Sequence, residues 1–163
     1  MTLIAVDGPA GAGKTTLAAT LERDFSTQKK VSVIHMDDLY AGWNNPFDEH
    51  LSAKLEVIVH AFNAHRSFNI EIFNWIKMTF DSSKTIKPSD ILIIEGVGAA
   101  QKVVRDAGAI TYWLDVEPSV GLERVLHRDG FEIENQMHQW QIDQEVHFTN
   151  DGTRTHASHI ITS

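Results

Sequence analysis

Cysteine is absent from this 163-residue chain, which excludes disulfides, thiolate catalysis and cysteine-ligated zinc together. Positive charge is scarce: 14 Lys and Arg stand against 22 Asp and Glu, for a formal net charge of −8. Duplex nucleic acid is held by many basic groups on its phosphates, so no such partner is expected, while a small anion in a local site stays open. Long hydrophobic runs are missing too. No stretch approaches the ~18 apolar residues of a membrane span, and no basic segment precedes the first apolar run. A soluble, cytoplasmic protein without a membrane partner is expected. With 42% hydrophobic residues, the length suits one well-buried core, hence a single domain over residues 1–163.

What is present is alternation. Leu3 to Val6, Val31 to His35, Ile91 to Glu95, Ile110 to Asp115 and Ile160 to Thr162 are short apolar runs bounded by polar or glycine-containing turns, the pattern of buried strands. Between them lie amphipathic stretches that predict helices over Lys14 to Asp24, Glu49 to His65, Ala99 to Ala107, Ser119 to Arg128 and Asn135 to Phe148. Strands alternating with helices imply right-handed crossovers, hence an α/β fold with a five-stranded parallel sheet covered on both faces. The segment Asn69 to Phe80 departs from this rhythm. Its apolar even positions Ile70, Ile72, Ile76, Met78 and Phe80 favour an extended strand or hairpin.

Ligands of such sheets bind at the carboxyl ends of the strands. After the first strand stands GPAGAGKTT, which matches G-x-x-x-x-G-K-[ST] as Gly8, Gly13, Lys14 and Thr15. Backbone N–H groups can close round a triphosphate only where side chains leave room, and Gly8, Ala10, Gly11, Ala12 and Gly13 leave it. Lys14 adds a point charge for the β- and γ-phosphates, the Thr15 hydroxyl can ligate Mg²⁺, and Thr16 follows in the same first helical turn, whose positive end faces the anion.

The second strand ends in His35-Met36-Asp37-Asp38-Leu39-Tyr40. A carboxylate there either caps the next turn or takes a proton from a hydroxyl attacking the γ-phosphate; beside a phosphate loop the second role is favoured for Asp37. The third strand, ILIIEG, ends in Glu95, placed to hold Mg²⁺ or its water. Arg124 and Arg128 are four apart, so one helical face carries both toward phosphate oxygens, or toward solvent with Glu123 and Asp129 as ion-pair partners.

GPAGAGKTT, then DDLY, IIEGVGA, WLDV and ERVLHRD together resemble the uridine kinase-like branch of the P-loop nucleoside and nucleotide kinases, from Leu3 to about Asp129. The resemblance implies a P-loop NTPase fold with a short lid near residues 124–130. It implies ATP and Mg²⁺ as cofactors, with Mg²⁺ on Thr15 and Glu95. It also implies that Asp37 is the base toward a nucleoside 5′-hydroxyl, with Tyr40 lining the acceptor pocket and Arg124 and Arg128 acting from the lid. Phe73-Asn74-Trp75 stands where similar proteins carry Tyr-Asp-Trp facing the acceptor, so Asn74 and Trp75 are expected there, with Glu95 close by and Trp43 available to stack on a base.

The expected reaction is transfer of the ATP γ-phosphoryl group to a small acceptor, a nucleoside such as uridine or cytidine. A nucleoside monophosphate kinase and a nucleotide-binding regulatory protein without transfer are the alternatives. The nine histidines have no known metal spacing and are expected to be structural or superficial. Trp113, inside a strand, is expected to pack in the core. Asp151 to His156, before the last strand, is a candidate for the adenine side of ATP.

Overall fold

In the computed structural model, which describes residues 1–162, the order is β1 (Thr2–Asp7), α1 (Lys14–Phe25), β2 (Val31–His35), α2 (Glu49–Asn63), β3 (Phe68–Asn74), β4 (Thr79–Ile86), β5 (Ile91–Glu95), α3 (Lys102–Asp106), β6 (Ile110–Asp115), α4 (Pro118–Asp129), α5 (Glu134–Asp151) and β7 (His159–Thr162). Single 3₁₀ turns cover Met36–Asp38 and Phe131–Ile133.

The apolar runs form one parallel sheet in the order β2-β5-β1-β6-β7. Alternation along the inner strands feeds two cores. Leu3, Ala5, Ile34, Leu92 and Ile94 face a large cluster that takes in Leu55, Trp113, Trp140 and Phe148. Ile4, Val6, Ile91 and Ile93 face a smaller one covered by Ala18 and Leu17 of α1. Burial on both faces is what a continuous apolar strand demands. Trp113 is 4% exposed, as its strand position predicts.

Register sets the site. Val6 pairs with Glu95 and His35 pairs with Glu95, so β1, β5 and β2 end level with one another. The loops that follow all open on the same crevice.

One element differs from the sequence reading, for a physical reason. The helix expected over Ala99 to Ala107 shrinks to Lys102–Asp106, because residues 96–101 are pinned as turns: the N–H groups of Gly98 and Ala100 donate to the Asp7 carboxylate at 3.0 and 2.8 Å. The segment from Asn69, expected as an extended strand or hairpin, is part of an antiparallel hairpin, β3 with β4, which pairs with itself and not with the main sheet.

The phosphate loop lies tightly on α4. A Cβ on Gly11, whose φ is +83°, would fall on the backbone of Gly121, and one on Gly121 would come 2.5 Å from the Ala10 carbonyl oxygen. Backbone cannot yield as a flexible side chain does, so Gly121→Ala must push loop and helix apart. Overpacking of this kind costs about 1–3 kcal/mol, and the melting temperature should fall by several degrees at this chain length. Calorimetry of Gly121→Ala checks it: an unchanged melting temperature would contradict the contact.

Candidate functional site

A cavity of about 550 Å³ opens where the strands end. Its floor is Ala10, Gly11 and Gly13 of the phosphate loop with Lys14, Thr15 and Thr16 at the start of α1. The Lys14 ammonium folds back to donate to the Pro9 carbonyl at 2.7 Å. Burial pulls its pKa down to about 8, while Asp7, Glu95 and Asp37 pull it up. The Thr15 hydroxyl lies 3.2 and 3.3 Å from the two carboxylate oxygens of Glu95. Hydroxyl and carboxylate are hard oxygen donors, and Mg²⁺ takes one or two such protein ligands beside phosphate and water. The pair therefore fits Mg²⁺. His35 Nδ1 sits 2.6 Å from Glu95 Oε1 and orients that carboxylate from the neighbouring strand. The contact with Glu95 raises the histidine pKa.

Asp37, in the turn after β2, lines the same cavity as Lys14 and Glu95. Its surface stays open to solvent through the cavity mouth, yet the protein packed round it, and next the Glu95 charge, raise its pKa, with Arg128 and Lys14 opposing. Opposite the phosphate loop the wall changes character to Trp43, Trp75, Trp140, Val97, Ile133 and Met137. Trp43 stands edge-on to Trp75 at 5.0 Å and to Trp140 at 5.8 Å, favourable aromatic geometry. The Trp75 indole N–H donates to the Asp37 carbonyl at 2.9 Å, which ties the hairpin to the β2 turn.

Several expected residues stand elsewhere. Asn74 does not line the cavity. Its amide donates to Asp81, and its carbonyl accepts from the N–H groups of Ile76 and Lys77, because an Asn at the start of a tight turn finds its partners locally. Tyr40 does line the cavity, though it is 1% exposed and its hydroxyl donates to Val97 O at 2.5 Å. Arg128 lines the cavity, whereas Arg124 lies outside it, exposed and donating to the Gly11 carbonyl. Both Arg128 Nε and Nη2 bind Asp129. The Gly8 N–H donates to Asp7 and that of Ala12 to Pro9, so neither amide points at the cavity. Asp151 is held by Arg105, Thr153 and the Lys102 N–H, binding α5 to α3. The expected lid span, residues 124–130, is the last part of α4 plus Gly130, whose φ of +107° turns the chain toward α5. Among the described residues, no group of three or more His, Asp or Glu is arranged to hold a metal ion, and no helix is long and apolar enough to cross a membrane.

Two residues outside the motifs matter. Buried Gln144 of α5 accepts from the Ala10 N–H of the phosphate loop at 3.1 Å. Asp7 is fully buried and accepts from Gly8, Gly98 and Ala100. Only a carboxylate closing an otherwise apolar strand hints at it in sequence.

A family model described as an AAA domain matches residues 4–142. No curated protein matches the chain. Among solved structures, one described as a "Possible Uridine Kinase" from Bacillus stearothermophilus is 20% identical, covers 98% of this chain and 88% of its own, and has a TM-score of 0.72. Shikimate kinase from Bacteroides thetaiotaomicron is 18% identical over 99% of this chain and 85% of its own, at 0.56. Shikimate kinase from Acinetobacter baumannii in complex with shikimate is 16% identical over 100% and 84%, at 0.57. At these identities the shared property is the fold, a five-stranded parallel sheet with flanking helices that is the P-loop NTPase kinase fold.

Burial pushes the Asp7 pKa from its ordinary 3.8 up to about 6, against its three backbone donors and Lys14. Between those values the folded chain binds more protons than the unfolded one, so stability falls as pH rises from about 4 to 6 and is level above. The drop is on the order of 3 kcal/mol at most. Denaturant titrations across this window should show the decline in the parent and its loss in Asp7→Asn; parallel curves would refute it.

Proposed function

We propose that this chain, which belongs to the AAA domain family, is an ATP-dependent kinase that transfers the γ-phosphoryl group to a hydroxyl of a small acceptor. One observation carries the reading: Asp37 lines the same cavity as Lys14, Thr15 and Glu95, with an aromatic wall on its far side. A protein that only binds nucleotide has no use for a carboxylate between the phosphate loop and a second pocket.

In this reading the amides of Gly11 and of Gly13 to Thr16, at the start of α1, cradle the phosphates. Lys14 leaves the Pro9 carbonyl for the β- and γ-phosphate oxygens. Mg²⁺ held by Thr15 and Glu95 supplies neutralisation of the phosphate charge. Asp37 orients the acceptor hydroxyl and takes its proton as the new oxygen–phosphorus bond forms and the bond to the β-phosphate oxygen breaks, leaving ADP. Its raised pKa brings the base nearer neutral pH. Arg128 releases Asp129 to meet charge on the transferred group, and Gly130 is the pivot of a short lid at residues 124–130, in one domain that spans residues 1–163. The setting is cytoplasmic.

A nucleoside such as uridine or cytidine is the acceptor suggested by resemblance, with its base against Trp43 and Trp75 and its 5′-hydroxyl at Asp37. A nucleoside monophosphate is less well served. Its phosphate needs arginines of its own, and the cavity holds Arg128 alone, paired with Asp129, while Arg66 is exposed in the turn after α2.

The test is ADP release and product phosphate with Mg²⁺-ATP over a panel of hydroxyl acceptors. Asp37→Asn should lower kcat by about a hundredfold or more with ATP affinity kept. Lys14→Ala should cost about as much, more than loss of any single wall aromatic. ATP binding without transfer to any acceptor would leave a nucleotide-binding protein instead.

Lys14 adds a pH signature. Its ammonium loses its proton near pH 8 in the free protein, and only the charged form attracts phosphate. ATP affinity should be level at neutral pH and weaken above 8, approaching about tenfold per pH unit. Lys14→Arg, charged throughout, should remove that slope. Titration of ATP binding across pH 7–9.5 decides.

A further inference from the structure

We infer that the acceptor is a neutral alcohol carried on a flat, mainly apolar body, less polar than a ribonucleoside. The inference rests on the kinase reading for the site of attack and refines the half of the cavity beyond Asp37.

A ribonucleoside brings a 2′,3′-diol and a base edge lined with donors and acceptors. Desolvating those groups is costly unless the protein answers them. The side chains that sequence would assign to this task are committed elsewhere. Every polar atom of the Asn74 amide is engaged in the hairpin turn, away from the cavity. The Tyr40 hydroxyl donates to Val97 O within the core. The Trp75 indole N–H donates to the Asp37 carbonyl. The Asp129 carboxylate, also in the lining, has both oxygens taken by Arg128, and what is left beside Asp37 is the rings of Trp43, Trp75 and Trp140 with Val97, Ile133 and Met137.

Charge points the same way. An anionic body would need a free cation on that side. Arg128 is the cavity's arginine, and its Nε and Nη2 are bound to Asp129 at 2.9 and 2.8 Å. Lys14 lies on the phosphate side, among Asp7, Glu95 and Asp37. One end of the acceptor therefore meets a carboxylate that needs a hydroxyl, and the rest meets rings and methyl groups. A ring lying against the Trp43 and Trp140 edges, with a short arm carrying the hydroxyl to Asp37, satisfies both.

The test measures binding and transfer separately on the intact protein. With Mg²⁺ and the non-hydrolysable β,γ-imido analogue of ATP bound, calorimetry gives the affinities of 2-phenylethanol, 2-(2-naphthyl)ethanol, uridine and cytidine. The aromatic alcohols should bind at least roughly tenfold tighter than either nucleoside, the scale of discrimination set by unanswered polar groups. Trp43→Ala should weaken the alcohols and leave the affinity for the ATP analogue unchanged, which also reports that the variant is folded. Nucleosides binding as tightly as the alcohols, or no binding by either class up to the solubility limit, would overturn the inference. Phosphorus NMR with ATP then follows transfer. Alcohols that bind without being phosphorylated would remove the kinase reading while leaving the character of the pocket intact.

Discussion

The site depends on one buried carboxylate that is not itself in the cavity. Asp7 closes β1, where the chain leaves the sheet, and accepts backbone N–H groups from its own neighbour Gly8 and from Gly98 and Ala100 beyond β5. A charge so placed would be costly alone. Three amide donors and the nearby Lys14 offset part of that cost. The effect is to fix two loops from different strands against each other. One carries Lys14 and Thr15, and the other follows directly on Glu95, so the Thr15 to Glu95 spacing that suits a hard cation comes from a bond network one layer below it. Gln144 adds a third tie, from α5 to the Ala10 amide.

Above this base the cavity divides into two chemistries. The floor is polar, crowded with a lysine, three carboxylates and two threonine hydroxyls, whereas the far wall is indole and aliphatic. Asp37 stands on the boundary. Phosphoryl transfer through a loose transition state gains mainly from position and from fixed charge, and both are properties of the floor. In the proposed reading, recognition of the acceptor falls to the wall. The Trp75 indole bond to the Asp37 carbonyl is the direct mechanical link between the two halves.

Much of this was legible in the sequence, and the limits have a physical pattern. β2, β5 and β6 begin and end where apolar runs meet polar ones, and the phosphate loop announces itself by spacing alone. Glu95 is readable because a carboxylate ending an apolar strand has no packing role. The failures share a cause. Asn74 has the chemistry of a ligand contact but finds its partners within its own turn, and Tyr40 lines the cavity while its hydroxyl is taken by Val97, 57 residues away. Gln144 and Ala10 are separated by 134 residues, and no local pattern foretells such a bond. The shortening of α3 belongs here as well, since its missing first turn is drawn off by Asp7. Residue type predicts what a group can do, while competition among distant partners decides what it does.

The β3–β4 hairpin is bonded only to itself as a sheet, and it supplies Trp75 and Ile76 to the cavity wall. Insertions, deletions or a changed turn can alter that wall without disturbing a single ladder bond of the five-stranded sheet. The shape of that wall can therefore vary while the sheet that carries the phosphate loop stays intact, with the Trp75 bond to the Asp37 carbonyl as the tie between them. The architecture is modular: a self-paired hairpin set beside a separately bonded sheet, so that the wall can be remodelled at little risk to the fold.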